Sequence, residues 1–592
     1  MERVITGGPA TWACQPGFPP AVIFPFTPAE RYGIRSLQEF QMLMYRPLYW
    51  LGCDGEVRAD FELSIGREPE WDRGGRTVTI RIKPWKWSNG ETVCADNVMF
   101  WMNMLTRKAA KFGGYAAGYL PDNLLRYAKV ADDAVRFTFD RVYSKDWVLL
   151  SQLTLITPMP KAWDRTAQGP ADATHDPAQA DAVYEYLLAE NGDMVTEDNT
   201  HRARWPDSPV WSVVNGPWRL KSFTADAAVT FVPNEHYSGP YRPHLDEFRQ
   251  VQTDSDDQQY AVLQSGPHGP GSIQVGWLPP SIATQPDGDP AQAGPNPLGG
   301  RFTLVPQIYF NVRFIALNLQ HRGVAGGMLR QPYLRQALQS CLDQEYSANE
   351  IYHGYGWRQS GPVPMLPAGR LVSPRLANGR GFWPFDPDRA RALLAAHGWD
   401  VTSTPAVCVR PGSGAGEAGP GIPAGTRLSL SVRYVQGRPA LRRVMQQFEA
   451  DAVKAGIELR LSEIHGSTLV AQDGPGVSTP ENPSTWELSC WGGGWVYCYP
   501  TGENLFKTGA STNFSGYSDP RADELIDGTV TSDDLGALYE YQDYISEQVP
   551  VIFLPNFPYR LFEVAAGLRG FTPVNPCGQI TPEKWHYIEE TP

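Results

Sequence analysis

The chain has 592 residues, 42 % hydrophobic and 19 % charged, with 51 Lys and Arg against 64 Asp and Glu. This is ordinary globular composition in a chain too long for one core, so two large lobes or three domains are expected. A net charge of −13 argues against nucleic acid as a partner, since phosphate binding depends on clustered Lys and Arg, and no apolar run approaches the roughly 18 residues a membrane helix needs.

In chain order, Met1-Glu2-Arg3 leads straight into Val4-Ile5-Thr6 with no signal peptide ahead. That leaves a cytoplasmic chain or one whose signal has been removed. Residues 4–50 read as a strand and then a helix over 37–45, with Ser36 as its cap. In 76–105, Val78, Ile80 and Ile82 alternate with Thr77, Thr79 and Arg81, the pattern of a half-buried strand. Pro84 stops the ladder and Ser88-Asn89-Gly90 makes a turn. A helix from Asp96 then carries Val98, Met99, Trp101, Met102 and Leu105, with Cys94 in the capping region, a poorer cap than Thr. A strand follows at 134–139. Residues 165–210 read as an insertion holding one helix, with Asp176 as cap, Pro177 in the first turn and Asn191-Gly192 at the end.

Gly and Pro make 266–300 irregular, and a strand at 308–318 precedes a helix opened by Pro332. Asp386-Pro387 starts another helix, which Gly398 ends. Residues 409–426 are rich in Gly, Pro and Ala and read as a flexible excursion. Leu428, Leu430, Val432 and Tyr434 alternate as a strand, a helix runs from Pro439 to Gly456, and Ile457, Leu459 and Leu461 form the next strand. Strand, helix and strand imply a parallel pair. A strand at 486–491, helices near 521–527 and 535–548, and a strand at 551–554 complete the pattern.

Several of these pieces carry a resemblance in their order and spacing. The strand, aromatic corner, Asn-Gly turn and helix of 76–105 resemble the signature of family 5 solute-binding proteins, the extracytoplasmic receptors of peptide-type ABC importers. Asn215-Gly216-Pro217-Trp218-Arg219-Leu220 resembles the family's G-P-Y/W-x-L strand, Asn234-Glu235-His236-Tyr237 its N-x-x-Y turn, and Phe314-Ile315-Ala316-Leu317-Asn318 its F-N strand. The helix from Pro332 and the one at Asp386-Pro387 match further landmarks, and the N-terminal block resembles actinobacterial members. The resemblance implies an α/β, two-lobed periplasmic-binding-protein-like fold (cluster C, three domains) with mixed sheets and an interlobe hinge. On that basis residues 1–55 and 206–305 belong to domain I of lobe I and 56–205 to domain II. Residues 306–553 form lobe II, and 554–592 return to lobe I.

Trp491-Gly492-Gly493-Gly494-Trp495-Val496-Tyr497-Cys498-Tyr499-Pro500 is the segment richest in binding signals. Glycines let backbone approach a ligand, and aromatics supply flat, rigid contact area. Relatives read roughly G-W-x-A-D-Y-x-x-P here, and peptide-binding members use the Asp to pair with the peptide's ammonium terminus. Aligned on Gly494 and Pro500, this chain has Val496 at that place, so another acid serves or the ligand has no free α-amino group. The loop 353–362 corresponds to one that lines the cleft in relatives, with Arg358 suited to a ligand carboxylate or phosphate. In relatives the segment corresponding to 28–36 lies near that cleft, which makes Tyr32 a candidate.

The expected ligand contacts are therefore Trp491, Trp495, Tyr497, Tyr499, Arg358 and Tyr32. Replacing Trp495 with Ala is expected to weaken binding without unfolding the protein. Eight Cys fit no zinc spacing; one or two disulfides, a Cys490–Cys498 pair among them, stand against buried free thiols.

No Gly-x-Ser-x-Gly, His-Glu-x-x-His, Walker loop or dinucleotide fingerprint is present, and the 10 His do not cluster. No catalytic residue, metal or cofactor is expected. The resemblance implies an extracytoplasmic, lipid-anchored monomer that captures a peptide or peptide-like solute and hands it to the ABC transporter permease subunits. The alternatives are a receptor of the same fold for an oligosaccharide, siderophore or metal chelate, and a carbohydrate-active hydrolase using two acids.

Overall fold

The computed structural model describes residues 3–589 except 15–18, 29–30, 34, 54, 193, 195–199, 280–281, 475–483, 497, 511 and 573–576. The chain divides into two compact units. The first comprises Met1–Thr284, Gln292–Tyr309 and Tyr559–Pro592; the second comprises Gln285–Ala291 and Phe310–Pro558.

The first unit is built on a mixed seven-stranded sheet. In spatial order its strands are Trp218–Phe223, Val229–Pro233, Glu247–Val251, Pro9–Ala13, Val275–Trp277, Arg560–Ala565 and Phe302–Gln307. Glu247–Val251 and Val275–Trp277 run parallel to Pro9–Ala13, while Arg560–Ala565 is antiparallel to both of its neighbours. An antiparallel four-stranded sheet lies beside it in sequence, ordered Glu70–Trp71, Thr77–Arg81, Ala134–Phe139 and Leu124–Ala131. The alternation read at 77–82 is what this sheet buries: Val78, Ile80 and Ile82 are all inside.

The helix that follows spans Ala95–Lys108. Cys94 is indeed its N-cap, and Asn97 supplies what the thiol supplies poorly, its Oδ1 accepting from the Cys94 amide at 2.9 Å. The insertion helix, Ala180–Asn191, joins it through Arg107–Asp181 and Lys108–Glu185 ion pairs. By contrast Ser36 caps nothing with its side chain: the chain there enters a π-helical turn, Leu37–Gln41, before the single α-turn Met42–Met44.

A buried ion pair and a buried acid mark this unit. Arg46 and Glu583 pair with both side chains fully buried, and the guanidinium lies 4.1 Å from the Trp50 ring. Glu563, in the Arg560–Ala565 strand, is fully buried and accepts one hydrogen bond, from Asn296 Nδ2 at 2.7 Å. Burial pushes its carboxyl up to about 7. An acid raised in this way holds its proton in the fold while the unfolded chain has already lost it. Stability should therefore fall as pH rises from about 4.5 to about 7, and level off above. The Glu563 share of that loss is about 2–3 kcal/mol between about pH 5 and about pH 8. Chemical denaturation of Glu563→Gln should show a correspondingly flatter profile than the parent, and parallel profiles would contradict the assignment.

The second unit has a six-stranded sheet. Glu458–Ile464, Ser429–Val435, Leu488–Cys490, Asn311–Leu317 and Gly494–Val496 lie in that order, and Val551–Phe553 also pairs with Asn311–Leu317. Ser429–Val435 and Glu458–Ile464 are parallel in continuous register, as the strand–helix–strand pattern requires. Their connecting helix, Pro439–Ala455, ends at Gly456 in the left-handed conformation (φ +91°), which glycine adopts without strain. Leu441, Val444, Met445, Phe448 and Ala452 form its buried face.

Asp386 caps the helix Pro387–Ala396 by accepting from the Arg389 amide at 2.8 Å. Arg335, in the helix Pro332–Ser340, is 3 % exposed and donates to the carbonyls of Gln548, Val549, Leu329 and Arg330. It thereby satisfies carbonyls left over where two other helices end, while burial lowers its pKa to about 10.

Residues 409–426 are not a flexible excursion. Glu417 accepts from the Gly414 amide at 2.7 Å, the Tyr333 hydroxyl donates to the Ala418 carbonyl at 2.7 Å, and Ala418 and Ile422 are buried in the core. Composition suggested a free loop; internal hydrogen bonds and small buried residues hold it instead.

Candidate functional site

The strand Asn311–Leu317 organises the site. Its first half pairs with Gly494–Val496 in antiparallel register, Asn311 opposite Val496, Val312 opposite Trp495 and Arg313 opposite Gly494. A Cβ on Gly494 would lie 2.1 Å from the Val312 carbonyl oxygen, so only glycine permits this pairing. Gly492 has φ +72°, and a Cβ there would meet Arg438, Leu441 and Val435. Both glycines thus serve the packing of the chain against itself, where the sequence suggested approach to a ligand.

Aromatic rings gather on Phe314. Trp495 stacks on it at 3.8 Å between centroids, and Trp491 meets it edge-on at 5.4 Å. Phe514 closes the group at 4.4 Å from Trp491, and Phe506 meets Trp495 edge-on at 5.1 Å. Trp495 is 8 % exposed, and its indole N–H has no hydrogen-bond partner among the described residues. The expectation that Trp495→Ala would spare the fold is therefore corrected: this ring belongs to the hydrophobic core. Trp491 is only partly buried and packs on the rim of that core.

In the same segment the Gly492 carbonyl accepts from Arg313 Nη2 at 2.5 Å and from Arg438 Nη1 at 2.8 Å. The Arg313 guanidinium also lies 3.9 Å from the Phe557 ring, which in turn packs 4.0 Å from Tyr352. Burial raises the pKa of both the Tyr352 phenol and the Cys490 thiol. Cys490 is a free thiol, so the Cys490–Cys498 pair does not form; Cys498 and Cys577 each take part in a disulfide.

Of the other expected contacts, Tyr499 is buried in the same segment, and Tyr497 lies outside the described residues. Arg358 does not join the tryptophans. It contacts Glu345 Oε2 at 3.3 Å and the Asn378 carbonyl at 3.3 Å. Tyr32 belongs to the first unit, 37 % exposed with its ring edge-on to Phe112 at 5.7 Å. Sequence reasoning missed Arg313, Arg438 and Phe514. A signal for Arg313 was present: a charged residue inside the apolar run Val312 to Leu317, where every position is buried.

Among the described residues no group of three or more His, Cys, Asp or Glu is placed to hold a metal, and no helix is long and apolar enough to cross a membrane. The rings and guanidiniums can bind and orient a solute.

The fold is that of a solute-binding protein. It superposes on the oligopeptide-binding protein AppA of Bacillus subtilis, solved with a nonapeptide, with a TM-score of 0.67 at 17 % identity, covering 99 % of this chain and 100 % of that one. It superposes comparably on a periplasmic oligopeptide-binding protein of Thermotoga maritima, solved with mannohexaose (TM-score 0.65, 16 % identity, 95 % and 93 % covered). Residues 62–516 match the bacterial extracellular solute-binding proteins, family 5 (middle), and the chain belongs to that family. Protein XP55 of Streptomyces lividans is 27 % identical over 251 residues, which is 42 % of this chain and 38 % of that protein, so the match spans well under half of either.

Proposed function

We propose that this chain is the extracytoplasmic receptor of an ABC importer, which captures a peptide or peptide-like solute and delivers it unchanged to the permease subunits. It would act as a monomer of three domains, lipid-anchored in its precursor. Preferential binding to one of two conformations would be the signal the permease reads. The observation that carries this reading is the family match over 62–516. Trp491, Trp495, Tyr497, Tyr499, Arg358 and Tyr32 remain the proposed contacts. For Arg358, the Glu345 carboxylate would have to yield to the ligand's.

A second reading, a non-peptide solute, is favoured by Val496. It is 37 % exposed and apolar at the place where an ammonium-pairing acid would stand. A neighbour of the same fold was solved with mannohexaose bound, which supports this reading.

Mass spectrometry of what denaturation releases from the purified protein decides between them. A mixture of peptides supports the first reading and a single sugar or chelate the second. Conversion of the released compound to product by the refolded protein would overturn both.

A further inference from the structure

We propose that Arg313 and Arg438, on either side of the Gly492 carbonyl, form a binding site for an anionic group, a carboxylate or phosphate, on the captured solute. The inference rests on the receptor reading above and adds the charge of the solute to it.

Arg313 is 5 % exposed in the middle of an apolar strand. A guanidinium taken out of water is costly unless charge and hydrogen bonds replace what it loses. Here it has one carbonyl, on Nη2, and the face of Phe557. Its other terminal nitrogen, Nη1, is buried and has no partner among the described residues.

Arg438 donates to the same carbonyl and stands at the N-cap of the helix Pro439–Ala455. The first turn of that helix holds no acidic residue, so the partial positive charge of its N-terminus adds to both cations. For Arg313, one neutral carbonyl and a ring face do not balance a buried charge.

The rest of the unit shows what satisfied cations look like. Arg335 reaches four carbonyl groups. Arg433 pairs with Asp473 at 2.7 Å, and Arg442 with Glu463 at 2.8 Å. Arg313 differs in having, among the described residues, a buried donor without a partner and no acid. An anion from outside would complete its planar fork, with strength gained from the low-dielectric walls of Phe557 and Tyr352.

The test uses the full chain stripped of co-purifying solute and titrates inorganic phosphate by calorimetry at constant ionic strength. Phosphate should bind saturably, and Arg313→Gln, which can still donate to Gly492, should weaken it at least tenfold. Ala-Ala-Ala as the free acid should displace phosphate, and the same tripeptide as its C-terminal amide should not.

Equal phosphate affinity in parent and variant would overturn the site. Displacement by acid and amide alike, or by neither, would leave a free-phosphate site and overturn the assignment to the solute. If Arg313→Gln does not fold, Arg438→Gln carries the same comparison, with a several-fold loss expected. The receptor reading fails separately: it falls if the parent releases no solute on denaturation, whatever phosphate does. It stands if solute is released and only the phosphate comparison fails.

Discussion

Glu583→Gln is expected to destabilise the first unit by about 3–5 kcal/mol, because it leaves the Arg46 guanidinium buried without its counter-charge. Both side chains are wholly inaccessible, and the partners are 537 residues apart in sequence. The pair is also incompletely satisfied. Glu583 Oε2 has no hydrogen-bond partner among the described residues, and beyond Glu583 the guanidinium is helped only by the Tyr237 hydroxyl and the face of Trp50. A buried ion pair of this kind returns little of its desolvation cost. The double variant Arg46→Met/Glu583→Leu should therefore be far more stable than either single change, close to the parent or above it. Denaturation midpoints for the four proteins supply the coupling energy. Additive losses in the double variant would show that the charges contribute separately, contrary to this account.

Trp495→Ala should cost the second unit about 3–5 kcal/mol. The deleted ring is the one stacked on Phe314 and flanked by Phe506. Trp495→Phe should cost much less, since a ring is kept and the unpartnered indole N–H is removed. Trp491→Ala, on the partly buried rim, is the better probe of binding. It should weaken capture of the released solute while leaving the unfolding midpoint nearly unchanged. Equal destabilisation by the two alanine variants would mean that both rings are core and that the ligand lies elsewhere.

What the sequence made legible was mostly local. Asp386-Pro387 and Pro439 with Gly456 mark helix ends because caps, first-turn prolines and left-handed glycines act within a few residues. The parallel pair at 429–435 and 458–464 followed from alternation on both sides of an amphipathic helix. Ser36 failed as a cap because the turn after it is π-helical, and nothing in the residue types announces that. The loop 409–426 failed because composition does not reveal that Tyr333 and Glu417 will hold it.

At the site, Trp491 and Trp495 do meet on Phe314, but burial separated their roles, and burial depends on what packs over a strand from distant sequence. The glycines were read as making room for a ligand, whereas at 494 the room is taken by the Val312 carbonyl. Arg358 was read as available, and Glu345 occupies it.

The first unit's sheet is closed by the Arg560–Ala565 strand, and Val4–Ile5 pairs with His586–Ile588. During synthesis, then, its opening segments wait for partners made more than five hundred residues later. Until those arrive, the nascent polypeptide lacks a central strand and a buried counter-charge, and the entropy of closing so long a loop works against early collapse. Such a chain stays threadable until those late strands are made, which would suit the export that the proposed receptor role requires.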